Sequence, residues 1–123
     1  MNTISIKDKM NLDYIKAEQF ALQNNTTNSN SAFGYKALFA NTTGYSNVAV
    51  GAIALQNNTI GSLNTTVGYG SLSANTTGSN NSAFGTYALN SNTIGTNNTA
   101  VGYNALELNT TGADNVAMGS GAG

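Results

Sequence analysis

Side-chain catalysis needs a nucleophile beside a base, two converging carboxylates, or a cluster of metal ligands. This 123-residue chain holds almost none of that vocabulary. Its many Ser and Thr hydroxyls have no His to activate them, and there is no Cys. Glu107 and Asp114 are the only acids after residue 20, and they stand on different sides of a predicted loop. A calcium-binding roll would repeat its Asp, whereas Asp114 stands alone. The Gly-Lys-Ser/Thr of a phosphate loop is missing. The chain therefore reads as a non-enzyme, with no catalytic residue, no cofactor and no metal. The pattern best suited to chemistry is Tyr35, Tyr69 and Tyr103, whose rings could stack on a sugar or pack against one another.

Charge bounds the partners. Four Lys against five acids give a net charge of -1. There is no basic stripe for nucleic acid and no polybasic patch for anionic lipid. No apolar run approaches the roughly 18 residues of a membrane span, so membrane insertion is not expected. The first thirty residues lack the apolar centre of a signal peptide. Asn, Thr, Ser and Gly dominate, a composition that in random order would stay disordered. Disorder usually accompanies high charge and few aromatics, yet only 7% of residues are charged and six Tyr and four Phe are present.

The order is not random. From Asn30 the chain repeats every 17 residues: "NSAFGYKALFANTTGYS", "NVAVGAIALQNNTIGSL", "NTTVGYGSLSANTTGSN", "NSAFGTYALNSNTIGTN", "NTAVGYNALELNTTGAD" and a partial "NVAMGSGAG". Earlier, "ALQNNTTNS" at residues 21–29 matches "ALQNNTIGS" at 54–62, one residue short of register. Several columns are invariant within the chain. One Gly column runs Gly34, Gly51, Gly68, Gly85, Gly102, Gly119. A Leu column runs Leu38, Leu55, Leu72, Leu89, Leu106, and an Asn column runs Asn41, Asn58, Asn75, Asn92, Asn109. Asn also opens every unit, Thr follows each Asn of the second column, and a second Gly column includes Gly44 and Gly61.

A 17-residue unit is too short for a helix pair or a propeller blade. Short β-branched and aromatic runs bounded by Gly and Asn predict strands and tight turns. The expected fold is all-β: a parallel β-solenoid, one coil per unit, over residues 21–123. Each column becomes a ladder with neighbours about 4.8 Å apart. Buried Asn then bonds Asn in the next coil, Leu fills the interior, and both Gly columns supply positive φ at corners.

In "NVAVG", Ala49 and Val50 point to opposite faces of a strand, and both are apolar. One face lines the coil, and the other requires a cover. With no helix available, the expected cover is another copy of the chain in a closed cyclic oligomer. The phrases "NVAVGAIAL", "NSAFGYKAL" and "NTAVGYNAL" resemble the head repeats of trimeric autotransporter adhesins. The 17-residue form with "NTTG" loops is similar to repeats of bacteriophage tail fibres. The resemblance implies a homotrimeric fibre, a second strand of small residues in each coil, and attachment to a cell-surface receptor, possible glycans included. The adhesin unit is shorter, and no signal peptide or membrane anchor is visible, which favours a virion fibre or another extracellular surface filament.

Residues 1–20, "MNTISIKDKMNLDYIKAEQF", stand apart as a cap on the first coil or an attachment segment. The half unit at each end of the repeats together makes about one coil, which raises end-to-end polymerisation as an alternative. Two further surfaces are candidates. The Thr column resembles a flat ice-binding face, or more simply a turn. The "NTT" sequons at Asn41, Asn75 and Asn109 matter only on a secretory route.

Overall fold

The computed structural model describes residues 20–123. The predicted segment 1–20 lies outside the described residues except for Phe20. Six strands follow at the 17-residue interval: β1 (Ser31–Phe33), β2 (Val48–Val50), β3 (Thr65–Val67), β4 (Ser82–Phe84), β5 (Thr99–Val101) and β6 (Val116–Met118). They form one parallel sheet in the order β1-β2-β3-β4-β5-β6. The register pairs each residue with its counterpart one unit on, as in Ala49↔Thr66 and Thr66↔Ala83. The chain is thus a parallel β-solenoid.

Each strand is only three residues long, and the opposite wall is not a strand. Instead of a second, small-residue strand, positions five to twelve of the unit form overlapping turns. The amide of Ala54 donates to the Gly51 carbonyl, that of Gln56 to Ile53, and that of Asn58 to Leu55. Alternate amides of this wall bond the next coil: Leu55 donates to the Ser71 carbonyl and Asn57 to that of Ser73. The turns force ordinary residues into the left-handed region, with Ile53 at φ 54° and Leu55 at φ 50°. Every complete unit also places an ordinary residue in this region just before its next Asn, for instance Leu63 at φ 61°. Left-handed backbone costs an L-residue roughly 1–2 kcal/mol, so the axial bonds must hold the turns in place.

The interior is thin. Leu38, Leu55, Leu72 and Leu89 are fully buried, as the Leu column predicted. The strand's inward residue is the small one: Ala49, Ala83 and Ala100 are buried, while Val50, Val67 and Phe84 point outward. A coil with one Leu at its centre leaves room for only Ala on the facing strand. Coil three departs from this rule at two places together. Thr66 replaces the strand Ala and Ser71 replaces the turn Ala, and their buried hydroxyls bond each other. Ser71 Oγ also donates to the Gly68 carbonyl at 2.8 Å.

Polar side chains do the rest of the specifying. Asn58 Nδ2 donates to Asn41 Oδ1 at 2.7 Å, Asn75 to Asn58 at 2.8 Å, and Asn92 to Asn75 at 2.9 Å. The Asn that opens each unit makes a second ladder: Asn64 N donates to Asn47 Oδ1 and Asn81 N to Asn64 Oδ1, both at 3.0 Å. The two ladders meet at the second Gly column. The Gly61 carbonyl accepts from Asn47 Nδ2 and from Asn58 Nδ2, each at 2.9 Å.

That clasp corrects the expectation for the second Gly column. Gly61 does not have positive φ. It is glycine because a Cβ would stand 2.4 Å from Asn58 Oδ1 and 2.4 Å from the Gly78 carbonyl oxygen. The first column behaves as expected, with Gly51 at φ 131°. The segment before Asn30 joins the same ladder one residue early: Asn41 Nδ2 donates to Asn25 Oδ1, sixteen residues back.

Two predictions follow from this packing. Ser71→Ala is expected to cost about 1–3 kcal/mol by stranding the Thr66 hydroxyl. Thr66→Ala together with Ser71→Ala restores the interior of the other coils and should recover most of that loss; additive losses in urea titrations would refute the pairing. Leu63→Asn, matching Asn80 and Asn97 in the same left-handed column, is expected to raise stability by about 0.5–1 kcal/mol. An unchanged or lowered urea midpoint would show that the Leu63 side chain contributes more than its backbone costs.

Candidate functional site: an aromatic corner

The corner after each strand carries the aromatic residues. Tyr35, Tyr69 and Tyr103 share one column and are 39%, 48% and 56% exposed. Two coils separate each from the next, a gap of about 9.6 Å. The structure gathers them into clusters rather than one even stripe. Tyr35 packs edge-on to Phe20, with ring centroids 6.1 Å apart, and Phe20 packs in the same way on Phe39. Lys36 Nζ lies 5.4 Å from the centroids of both the Tyr35 and Phe39 rings, within cation–π range.

The second cluster is built by Tyr87, which the Tyr column did not reveal because it sits one position later in the unit. Its ring meets Tyr69 edge-on at 5.5 Å and 85°. The room for it comes from Gly70, its counterpart in the preceding coil, where a Cβ would lie 2.8 Å from the Tyr87 ring. Only a Gly one unit ahead of the aromatic signals this arrangement in the sequence. Asn90 Nδ2 ties the same corner together, donating to the Gly70 carbonyl and to Ser73 Oγ, both at 2.8 Å. Partial burial, then the neighbouring Tyr69, push the Tyr87 phenol above its ordinary pKa; Tyr103 and the Glu107 carboxylate act in the same direction. Beside them, Asn104 Oδ1 is the one buried side-chain polar atom without a partner among the described residues.

The remaining candidates are structural in their placement. Thr42, Thr59, Thr76 and Thr93 each donate a hydroxyl bond to the Thr carbonyl of the next coil at 3.1–3.2 Å. These hydroxyls serve the ladder rather than forming a free donor row. Asn41 and Asn75 are fully buried, and Asn109 Nδ2 donates to Asn92 Oδ1 and the Gly112 carbonyl, so a glycan on any of the three would break the ladder. Glu107 and Asp114 do not act as a pair: Asp114 Oδ1 accepts from Asn97 Nδ2 at 2.9 Å, while Glu107 borders the Tyr87 corner. Among the described residues no group of three or more His, Cys, Asp or Glu converges, and no pocket opens. No helix among them is long and apolar enough to cross a membrane.

Comparison with known proteins finds no matching family model, no matching curated protein and no matching solved structure.

The raised Tyr87 pKa has a defined sign. The folded state holds the neutral phenol more tightly than the unfolded chain does, so the stabilisation is complete below the ordinary phenol pKa. It is lost as pH rises through the higher folded value. Stability measured in urea should fall through the tyrosine range, and Tyr87→Phe should lessen that fall. An equal alkaline loss in both proteins would remove Tyr87 as its source.

Proposed function

We propose that this chain is a non-enzymatic structural protein, a self-associating β-solenoid shaft of a virion tail fibre or comparable surface adhesin. What supports the reading is the continuity of the axial ladder, from Asn25 Oδ1 accepting from Asn41 through to Asn109 Nδ2 donating to Asn92. Every coil bonds the next in the same way, so length is set by the number of units and stiffness by the bonds between them. That is the mechanics of a spacer. Three copies around one axis form the fibre proposed from the repeat resemblance, and shared load among them would stiffen it further.

Duplicating the unit at residues 81–97 tests the mechanics. Ten added copies should lengthen the particles by about 48 Å in electron micrographs and raise the β-type circular dichroism in proportion. Particles that gain mass without gaining length would refute a shaft.

The aromatic corner favours a second role on the same scaffold. Tyr69 and Tyr103 stay 48% and 56% exposed, about 9.6 Å apart, with Tyr87 edge-on to Tyr69 and the Glu107 carboxylate near enough to act on the Tyr87 phenol. A neutral saccharide fits this chemistry, with a C–H face on a Tyr ring and a hydroxyl donated to the carboxylate. The carboxylate would disfavour an acidic sugar. Binding to a neutral oligosaccharide array that disappears in Tyr69→Ala/Tyr103→Ala, with circular dichroism unchanged, would support a receptor-contacting corner. Equal binding by both proteins would eliminate it.

A further inference from the structure

The turn after each strand brings three side chains together, and in the coil that begins at Asn30 one of them is an ammonium group. Lys36 Nζ lies 5.4 Å from the centroids of the Tyr35 and Phe39 rings. The same backbone recurs four coils on. Lys36 and Asn104 are both left-handed, at φ 56° and 55°. The Phe39 amide donates to the Lys36 carbonyl at 3.3 Å, and the Glu107 amide donates to the Asn104 carbonyl at 3.2 Å. Tyr103, Asn104 and Glu107 therefore occupy the places of Tyr35, Lys36 and Phe39.

The later turn keeps the ring and lacks the ammonium. Tyr103 is exposed, and a carboxylate stands where the second ring was. Glu107 has no counter-ion there. Lys36 is the one cation among the described residues, and it lies four coils away, about 19 Å along the axis. Asn104 Oδ1 lacks a hydrogen-bond partner. The Asn104 side chain is only half-buried, so it can turn outward without breaking a bond to that oxygen. A ring face, a carboxylate and an amide oxygen all attract a protonated amine, and the fold already seats one at the equivalent place.

The geometry points to a binding site for a protonated amino sugar at Tyr103, Asn104 and Glu107. The sugar's C–H face lies on the Tyr103 ring, and its ammonium donates to the Glu107 carboxylate and to Asn104 Oδ1. The inference rests on the saccharide reading of this corner and adds the charge that the sugar carries. An extended saccharide is favoured over a single lysine side chain because Tyr69 offers a second exposed ring about 9.6 Å away. A chain of sugars has a face for each ring, whereas a lysine stem covers one.

Calorimetric titration of the full-length chain with two oligosaccharides of one skeleton tests the site. One is fully deacetylated chito-oligosaccharide, in mildly acidic buffer that keeps its amines protonated. The other is the uncharged N-acetylated form. The deacetylated form is expected to bind about tenfold more tightly. Glu107→Gln should abolish that preference and leave binding of the N-acetylated form, with circular dichroism unchanged. Asp114→Asn should alter neither. Equal binding of the two forms by the native chain, lost for both in Tyr69→Ala/Tyr103→Ala, would overturn the ammonium site and leave the saccharide corner standing. Binding of neither form would overturn both. Equally tight binding of an oligolysine of matching charge, or as great a loss in Asp114→Asn as in Glu107→Gln, would reduce the preference to general charge attraction and overturn the site.

Discussion

The Gly61 carbonyl, clasped by Asn47 and Asn58, is the contact on which the coil depends. The two amides come from opposite ends of one unit, and their oxygens face the neighbouring coils. Asn58 Oδ1 accepts from Asn75, and Asn47 Oδ1 accepts from the Asn64 backbone. One site therefore closes the coil and stacks it. Its members are buried, so an unmade bond would cost about 1–3 kcal/mol where a made one contributes about 1. That asymmetry fixes the unit length. An inserted residue would misalign two ladders at once, and the described chain shows none from Asn30 onward. The single departure, the sixteen-residue step from Asn25 to Asn41, falls at the first described coil.

A coil centred on one Leu cannot be stabilised by apolar burial alone. It also carries three non-glycine residues or so in left-handed backbone, among them the β-branched Ile53. Such conformations persist where surrounding structure over-determines them. Here the Ile53 amide donates to the Tyr35 carbonyl at 2.8 Å and the Leu55 amide to the Ser71 carbonyl at 3.1 Å, so each strained residue is tied to an adjacent coil. Strain and ladder are thus coupled: the turns are tight enough to enclose a thin core only because neighbouring coils hold them.

This coupling explains what could be read in advance. The period, the parallel solenoid, the buried Leu column and the Asn ladder were legible because each places one residue type at one repeated location. The turn wall was not, because Leu55 and Ile53 have no local preference for positive φ; coil-to-coil bonds impose it. The second Gly column looked like a corner, whereas its requirement is the space taken by Asn58. Alternation in "NVAVG" established two apolar faces without saying which was inside, since that depends on Leu filling the centre. Tyr87 escaped notice because its ring is seated by Gly70, a relation between columns of adjacent units rather than within one. The Tyr column itself was legible as a column, but its division into two clusters depends on Phe20, Phe39 and Tyr87, which lie outside it.

The division between constant and variable columns separates what the coil requires from what it leaves free. Asn, the two Gly and Leu are committed to the coil, and Thr42 and its equivalents give their hydroxyls to the next turn. A change there is felt along the axis. The outward positions answer only to their surroundings, as the exchange among Tyr69, Thr86 and Tyr103 in one column shows. The corners can therefore change without disturbing the ladder, while the sheet face remains uncharged along its described length. A rod built in this way keeps one constant interior while its corners are free to vary from coil to coil.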